Sequence, residues 1–395
     1  MLFKYTVLPE KSAYSRVFSV KPEPVTTLWY TLHSVPDYRR KQGKRHDLPT
    51  ILTLAILAIC CGHLSYLAMQ EWCENYQERI KQQVPFLAGH MPNSATFHRV
   101  FANLDIAAFE EVIGTWLQAI IPLAKGEGIA IDGKEIHGTG LCLVSAFAHI
   151  AKAVLFEEGI DTKGKELVVG PNVLRHITIS GHVITGDALF AQRSLCEQIT
   201  TEDGGYVFRV KGNQETLEND IRLFFKDPPF QAAIQTHTTT DRWKGVAEKR
   251  EVRVSSDLTR YLSWPGLTHT WWMKKTVTKE GETKITESVG IVCLPEKILG
   301  KRAIAEAVSE YIRGHWGIET RLHKQRDVVF NEDKSMIRTG HAPQTMAVLR
   351  NIVTSIFHRG TVRNFRSAIR KFAADPSELF DFLGLTAVAQ QAIAA

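Results

Sequence analysis

Two short apolar segments, each followed by an acid, are the parts of this chain best suited to chemistry. The first, residues 129–131, runs into Asp132, and the second, residues 182–186, runs into Asp187. Small and β-branched apolar residues favour a buried strand, which would hold each carboxylate on a rigid element. An Asp-Gly pair also forms turns, and Asp132 taken alone is more readily a turn residue than a catalyst. Its role therefore depends on which other acids the fold brings to it.

The strands that lead to Asp132 and Asp187 are predicted to lie side by side, because a helix predicted between them can form a parallel crossover. Their carboxyl ends would then share one edge of the sheet, the usual place for a site in an α/β fold. Two carboxylates held close together repel each other unless cations lie between them. Since aspartates offer only hard oxygen ligands, Mg²⁺ is the expected cation.

A third acid is expected from a polar stripe near the C-terminus. On a predicted helix, polar residues recur every four positions: His315, Glu319, His323 and then Arg326 or Asp327. Each step of four advances only about 40° around a helix, so these side chains share one face. An exposed helix covered with salt bridges has the same pattern, but an acid among several potential donors favours a carboxylate directed at a cation. Glu319 is the first candidate, and Asp327 and Glu332 are its rivals.

Two basic runs are candidates for phosphate contacts. The first contains Arg39, Arg40, Lys41, Lys44 and Arg45, and the second contains Arg359, Arg363, Arg366, Arg370 and Lys371. The whole chain carries 48 Lys+Arg against 42 Asp+Glu, a net charge of +6 that permits a polyanionic partner without demanding one. Such runs bind phosphates in some proteins and are solvated surfaces in others.

Composition indicates a folded protein of two or three domains, since the 395 residues are 44% hydrophobic and 23% charged. This excludes disordered and fibrous classes. The six cysteines form no CxxC pair and are predicted to be reduced core residues of a cytoplasmic protein. The apolar run at 48–61 is too short for a membrane span, and the N-terminus lacks the pattern of a secretory signal.

The periodicity of apolar residues divides the chain into four segments. Helical patterns at 48–62, 66–82 and 106–120 predict a helical N-terminal domain over 1–125, in which the first basic run suggests DNA binding. Residues 126–211 alternate strands and helices as the first part of a mixed-sheet core, 212–299 form a β-rich insertion, and 300–395 form the C-terminal part of the core and a helical tail. In the insertion, Trp271 and Trp272 point to opposite faces of a strand. Core packing is the commoner role of such a pair, and a stacking platform for a base is the alternative.

Taken together, several motifs resemble the DDE transposases of bacterial insertion sequences, in the subgroup that includes the H-repeat-associated proteins. The resemblance extends from about residue 30 to 360, and its order and spacing are specific. The motifs are Pro36-Asp37-Tyr38-Arg39-Arg40, Gly43-Lys44-Arg45-His46, the segment 51–72, Ile131-Asp132-Gly133-Lys134, Thr185-Gly186-Asp187-Ala188, Lys211-Gly212-Asn213-Gln214, His315-Trp316-Gly317-Ile318-Glu319, Leu322-His323 and Asp327-Val328-Val329.

The resemblance implies an α/β, ribonuclease-H-like mixed-sheet catalytic core with a helical N-terminal domain, a β-rich insertion and C-terminal helices. In it, Asp132, Asp187 and Glu319 would hold two Mg²⁺ or Mn²⁺ ions and act as the catalytic acids. The reaction would be cleavage at the ends of an insertion sequence, followed by strand transfer into target DNA. The partner would be double-stranded DNA of the terminal repeats and the target, bound by a homodimer in the cytoplasm at the nucleoid. The expected DNA contacts are Arg39, Arg40, Lys44, Arg45, Lys134, Lys211, Asn213, Trp271, His315, His323 and Arg326.

The sequence departs from the wider family's signature around the third acid. Ile312 occupies the tyrosine position, His315 the arginine position and Arg326 the lysine position, although the subgroup also tends to histidine at the second of these. Two other functions are therefore kept open. One is a DNA-binding relative that has lost the chemistry, and the other is a nuclease of the same core that performs no strand transfer.

Overall fold

The structure, a computed structural model, describes residues 24–40, 44–83, 89–160 and 166–383. The chain divides into two compact units, one made of residues 1–112 with 339–395 and the other of residues 113–338. Residues 1–23 of the predicted N-terminal domain and Lys41 of the first basic run lie outside the described residues.

The N-terminal part of the first unit is helical, as predicted. Its helices are α1 (Pro24–Thr31), α2 (Leu48–Cys60), α3 (Tyr66–Asn75), α4 (Gln77–Gln83), α5 (Ser94–Asn103) and the start of α6 (Ile106–Ile120). The side chain of Asp47 caps α2 by accepting a hydrogen bond from Thr50 N, and every residue of α2 is buried. The single helix predicted over 66–82 is two helices, because Tyr76 leaves the helical conformation with φ −110° and ψ 13°.

The second unit is built on one nine-stranded mixed sheet, which confirms the predicted α/β class. Its elements are β1 (Gly128–Glu135), β2 (Cys142–Ala148), β3 (Val154–Ile160), α7 (Glu166–Arg175), β4 (Val183–Gly186), α8 (Arg193–Thr201), β5 (Gly205–Val210), α9 (Glu215–Lys226), β6 (Ile234–Trp243), β7 (Val246–Ser255), β8 (His269–Lys279), β9 (Glu282–Cys293), α10 (Glu296–Leu299) and α11 (Ile304–His315). The strand order is β3-β2-β1-β4-β5-β9-β8-β7-β6. Strands β1, β4 and β5 are parallel neighbours, and the other pairs are antiparallel.

The β-rich segment after residue 212 extends the same sheet. Strand β9 pairs antiparallel with β5, with Val207 opposite Val292, and β8, β7 and β6 follow outward. This pairing satisfies the backbone groups of β5 on the side away from β4. The predicted strands are therefore present, and they add to the core sheet.

Helices cover both faces of the sheet. Apolar residues of α7, α8 and α9 pack on the face that carries Ile129 and Ile131. On the other face, α11 packs against residues of β4, β5, β7, β8 and β9, and Ile318 and Leu322 pack against Ala130. The alternation of side chains along β1 thus places Ala130 and Asp132 on the same face as the segment after α11.

The chain after α11 differs from the continuous helix predicted to carry the polar stripe from His315 to Asp327. Helix α11 ends at His315, and two π-helical segments follow, Ile318–His323 and Gln325–Val329. Such wide turns are rare and occur often at functional sites. The last helices are α12 (Ala342–Arg359), α13 (Phe365–Ala374) and α14 (Pro376–Phe382).

The C-terminal helices belong to the first unit. Helix α12 packs against α2 and α5, and α13 packs against α2. The segment predicted as one part over 300–395 is therefore divided near residue 338, because the long buried face of α12 covers the apolar α2.

All six cysteines are buried free thiols, as predicted. None of the helices in the described ranges is both long and apolar enough to cross a bilayer.

Candidate active site

Asp132 and Asp187 lie at the edge where the parallel pairing of β1 and β4 ends. Ile131 stands opposite Gly186, so the next residue of each strand is an aspartate. Strand β1 continues past Asp132 by pairing with β2. Asp187 instead leaves β4 and caps a short 3₁₀ turn, where its Oδ1 accepts a hydrogen bond from Leu189 N at 2.9 Å. The predicted parallel neighbours and their shared edge are confirmed.

The carboxyl group of Asp132 is surrounded by other acids. Its Oδ1 accepts a hydrogen bond from Gly133 N at 2.9 Å. Burial raises the pKa of Asp132 to about 7, and the charges of Asp187, Glu319 and Glu166 act in the same direction. Such a group either keeps its proton or needs a cation nearby. The charges of the other three acids therefore all act on the carboxyl group of Asp132.

The polar stripe that begins at His315 faces the same two strands. His315 Nδ1 lies 3.1 Å from Thr185 Oγ1 on β4, and His323 Nδ1 lies 3.8 Å from Asp132 Oδ2 on β1. Glu319 lies between the two histidines in the chain, its charge acts on Asp132, and burial raises its own pKa. The prediction that these side chains share one face is confirmed.

The histidines around the site are neutral at neutral pH. Burial lowers the pKa of His315 to about 4 and the pKa values of His323 and His149 to about 3. His149 Nε2 lies 3.0 Å from Thr185 Oγ1, so that hydroxyl group contacts one buried imidazole, His149, and one half-buried imidazole, His315. His315 and His149 therefore serve as neutral hydrogen-bonding groups here. Thr185 and His149 were not singled out from the sequence as site residues, although Thr185 precedes Asp187 by two positions and so shares its face of the strand.

The two rival acids already have cationic partners. Lys134 Nζ lies 2.8 Å from Asp327 Oδ1 and 3.5 Å from Glu332 Oε2. Glu332 also accepts a hydrogen bond from Arg326 Nε at 2.8 Å, and its side chain is fully buried. These contacts favour Glu319 as the third acid of the site.

The structure contradicts two of the predicted DNA contacts. Arg326 is 0% exposed, and its guanidinium lies between Glu157 and Glu332, with Nη1 2.6 Å from Glu157 Oε2. Trp271 is 2% exposed and packs in the core, while Trp272 lies under the Arg253 guanidinium on the other face. Neither Arg326 nor Trp271 presents a surface to DNA, because each is enclosed by its neighbours.

Three further residues predicted to contact DNA are Lys134, Asn213 and Lys211, and their neighbours in the structure differ. Lys134 is 9% exposed and lies within 4 Å of three acids, which include Asp333 at 3.3 Å. Asn213 donates a hydrogen bond from Nδ2 to Ala188 O at 2.7 Å, which ties it to the turn after Asp187. Lys211 is exposed just before that asparagine. Lys134 is thus held among acids, whereas Lys211 and Asn213 are both exposed.

The first basic run lines a cleft in the helical unit. The cleft has a volume of about 1060 Å³, and its lining includes Tyr38, Arg39, Arg40, Arg45, His46, His90, Asn93, Thr96 and Arg99. Arg40, Arg45 and Arg99 are exposed. Arg99 and His90 were not singled out from the sequence, because they are isolated basic residues more than forty positions from the run.

Asp37 organises part of this basic cluster. Arg39 Nε and Nη2 lie 2.8 and 2.9 Å from its two oxygens, and Lys44 Nζ lies 2.9 Å from Oδ2. Burial alone would raise the pKa of Asp37, but the hydrogen bonds from Arg39 and Lys44 lower it well below its ordinary value. Arg39 and Lys44 are therefore partly neutralised, and Arg40 and Arg45 are left as the outward cations of the run.

The acids of the second unit fit a hard divalent cation by their chemistry. Among the residues that the structure describes, no three His, Cys, Asp or Glu side chains converge as a ready-made ligand shell. Asp132, Asp187 and Glu319 nevertheless offer only carboxylate oxygens, the ligands that Mg²⁺ and Mn²⁺ prefer. A cation between them would also offset the repulsion felt by Asp132.

Comparison with known proteins identifies the family of this chain. A family model described as "Transposase DDE domain" matches residues 125–356, and one described as "DDE_Tnp_1-associated" matches residues 29–117. The chain is 28% identical to "H repeat-associated putative transposase YhhI" of Escherichia coli K12 over 368 residues, which is 88% of this chain and 95% of the relative. It is also 28% identical to "Putative transposase YncI" of Escherichia coli O157:H7, over 82% of this chain and 85% of the relative. The chain therefore belongs to the DDE transposase family, in the group of the H repeat-associated transposases.

Proposed function

We propose that this transposase cleaves DNA at the ends of its insertion sequence and joins those ends to target DNA in one site with two divalent cations. The observation that carries the proposal is the adjacency of Asp132 and Asp187 on parallel strands, together with the effect of Glu319 on Asp132. Membership in the transposase DDE family supports it.

In this proposal Asp132, Asp187 and Glu319 would hold the cations, with Asp132 as the central acid because the charges of both Asp187 and Glu319 act on it. When bound, Mg²⁺ or Mn²⁺ ions would activate water or a DNA 3′ hydroxyl and stabilise the leaving oxygen. Asp187 is oriented by its hydrogen bond from Leu189 N, and the following turn is held by Asn213. The His315–Thr185 contact fixes the start of the segment that carries Glu319.

The reaction is tested with the DNA that flanks the gene of this protein. Purified protein, Mg²⁺ and that DNA should produce cuts at the element ends and, with a target plasmid, joined products that sequencing identifies. Binding without cuts at any Mg²⁺ or Mn²⁺ concentration would instead assign the chain to the decayed DNA-binding relatives. Cuts without joined products would assign it to the nucleases.

We propose further that double-stranded DNA binds along the basic cleft, and that the protein acts as a homodimer on DNA. The exposed Arg40 and Arg45 give the cleft positive charge. The polar residues Asn93 and Thr96, at the start of α5, also line it. Phosphate contacts release counterions, so the affinity of such a surface depends strongly on salt.

Replacing Arg40 and Arg45 by glutamine should lower the affinity for DNA by a similar factor whatever the DNA sequence. We expect the slope of log affinity against log salt to fall by about 1 for each lost contact. Fluorescence anisotropy at several salt concentrations measures this slope. The matched control is Arg260→Gln, which removes an exposed arginine on the sheet extension. An unchanged slope in the double variant would show that DNA binds elsewhere.

A further inference from the structure

His149, in the turn between β2 and β3, is a buried histidine to which the proposed reaction gives no role. Its ring lies against two glycines, Gly128 on β1 and Gly314 on α11. A Cβ atom on either glycine would overlap the ring at Nδ1. The two missing side chains therefore leave a slot between the sheet and α11, and the imidazole of His149 fills it.

The slot directs the ring of His149 toward β4. Its Nε2 lies 3.0 Å from Thr185 Oγ1, and that oxygen lies 3.1 Å from His315 Nδ1. A hydroxyl group can donate one hydrogen bond and accept others, so it can link two neutral imidazoles. His149 thereby connects the end of β2 with strand β4 and with the end of α11.

His149 contacts the chain on both sides of Glu319. We call residues 315–323 the third-acid segment. Its first residue, His315, is reached through the hydroxyl group on β4, and Arg321 donates a hydrogen bond from Nη1 to the backbone oxygen of His149 at 3.3 Å. Glu319 lies between these two points in the chain. One buried residue thus holds the third-acid segment before and after its acid.

Apolar packing alone does not account for this arrangement. Ile318 and Leu322 pack against Ala130 and keep the third-acid segment on the sheet. Hydrophobic contacts have no preferred direction, whereas hydrogen bonds fix both a distance and an angle. An apolar side chain could fill the slot, but the imidazole of His149 adds the polar atom that reaches Thr185.

We propose that His149 is a positioning residue that holds the third-acid segment, and with it Glu319, beside the strands that carry Asp132 and Asp187. This inference rests on the proposed function, because it says how the third acid of that site is held. Groups that orient a metal ligand from behind are commonly needed for affinity, and their loss weakens metal binding about ten- to a hundredfold. In this role His149 contacts neither DNA nor cation.

The test measures amide hydrogen exchange of the full chain by mass spectrometry, without metal or DNA. His149→Met places an apolar side chain in the slot, and His149→Gln, of similar length, keeps a polar end. We expect peptides from the third-acid segment to exchange about tenfold faster in His149→Met, because a buried partner left unsatisfied favours local opening by about that factor. His149→Gln should exchange at close to the wild-type rate. Peptides from α9 should be unchanged in both variants, which separates local release from general destabilisation.

Thr185→Val is a second route to the same release. It removes the hydroxyl group and keeps the shape of the side chain, and it carries the test if His149→Met does not fold. The matched control is His176→Met. His176 is a half-buried histidine after α7, with Nδ1 2.9 Å from Asn172 O and its ring stacked on Phe156. Its replacement should leave exchange of the third-acid segment unchanged.

Mn²⁺ affinity, measured from the paramagnetic resonance signal of free Mn²⁺, connects the segment to the site. His149→Met should weaken Mn²⁺ binding about tenfold in the otherwise wild-type chain. It should have no further effect in Glu319→Gln, since changes that act through one group are not additive. An equal loss in both backgrounds would show that His149 does not act through Glu319 and would overturn the inference.

The exchange rates decide the inference separately from the function on which it rests. Wild-type exchange of the third-acid segment in His149→Met overturns it. Equally fast exchange in His149→Met and His149→Gln also overturns it, because His149 would then only fill space. A wild-type chain that neither binds Mn²⁺ nor cuts its terminal DNA overturns the proposed function instead, and the exchange rates still show whether His149 holds the segment.

Discussion

Asparagine in place of Asp132 is expected to abolish metal-dependent DNA cleavage, with a loss on the order of 10⁴-fold, as for other groups that act as a unit in catalysis. Asp132 is the acid whose charge interacts with both Asp187 and Glu319, so its loss should empty the site of cations. Asp187→Asn and Glu319→Gln should have similar effects. The rate of nicking of an end-labelled terminal repeat in Mg²⁺ measures them.

Asp327→Asn is the matched control for the third acid. Asp327 lies on the same segment as Glu319 but is paired with Lys134, which keeps Glu332 and Asp333 as partners when Asp327 is changed. This variant should therefore retain most of the cleavage activity. Full activity in Glu319→Gln together with its loss in Asp327→Asn would reverse the assignment.

The same Asp132 variant should show a specific pH dependence of stability in the absence of metal. The pKa of Asp132 is about 7 in the folded protein, above its ordinary value of 3.8, so the folded state holds this proton more tightly than the unfolded chain. The stabilisation from that proton is fully present below the ordinary value and is lost as the pH rises through 7. Asp132→Asn does not titrate, so it should gain stability relative to the wild type between pH 4 and pH 8. Urea unfolding in EDTA measures the difference, and a constant difference across that range would contradict the buried, acid-rich environment.

Replacing Arg326 by methionine should lower the free energy of unfolding by about 3–5 kcal/mol, the range measured when one partner of a buried ion pair is removed. The change removes the guanidinium between Glu157 and Glu332, whose side chains are only 2% and 0% exposed, although Glu332 keeps its contact with Lys134 at 3.5 Å. Glu157 also accepts a hydrogen bond from the hydroxyl group of Ser145, which does not replace the lost charge. Urea unfolding of the full chain measures the loss.

An exposed pair provides the comparison for Arg326. Lys297 and Asp203 form an ion pair whose side chains are 52% and 69% exposed. Lys297→Ala should change stability by less than about 1 kcal/mol, because water already solvates both groups. The triple change Arg326→Met, Glu157→Gln and Glu332→Gln should recover part of the stability lost by Arg326→Met alone. A variant Arg326→Met that unfolds like the wild type but binds DNA more weakly would restore the contact predicted from the sequence.

The secondary structure near the site was readable from local pattern. Apolar residues before Asp132 and Asp187 predicted strands, and the helix between them predicted a parallel pair, which the β1–β4 register confirms. The four-residue recurrence after His315 predicted one shared face, and the contacts to Thr185 and Asp132 confirm it. Local periodicity determines which side chains point together, so these predictions needed no distant partner.

Features that depend on distant partners were not readable in this way. Arg326 was read as part of a basic, DNA-facing stripe, yet its partner Glu157 lies 169 positions away in the chain. The strands after residue 212 were recognised, but their place beside β5 depends on an edge that only the folded sheet offers. The same holds for α12, whose apolar face covers α2 from the other end of the chain.

The sequence by itself determined the strand ends that carry two acids, the face that carries Glu319 and, through its motifs, the transposase family. Only the tertiary structure decided which acids are free and which are already paired. Among the described residues it gave Asp327 and Glu332 cationic partners, and it left Glu319 as the acid whose charge acts on Asp132. The physical reason is that the charge state of an acid depends on the burial and charges around it, and those come from segments far apart in the chain.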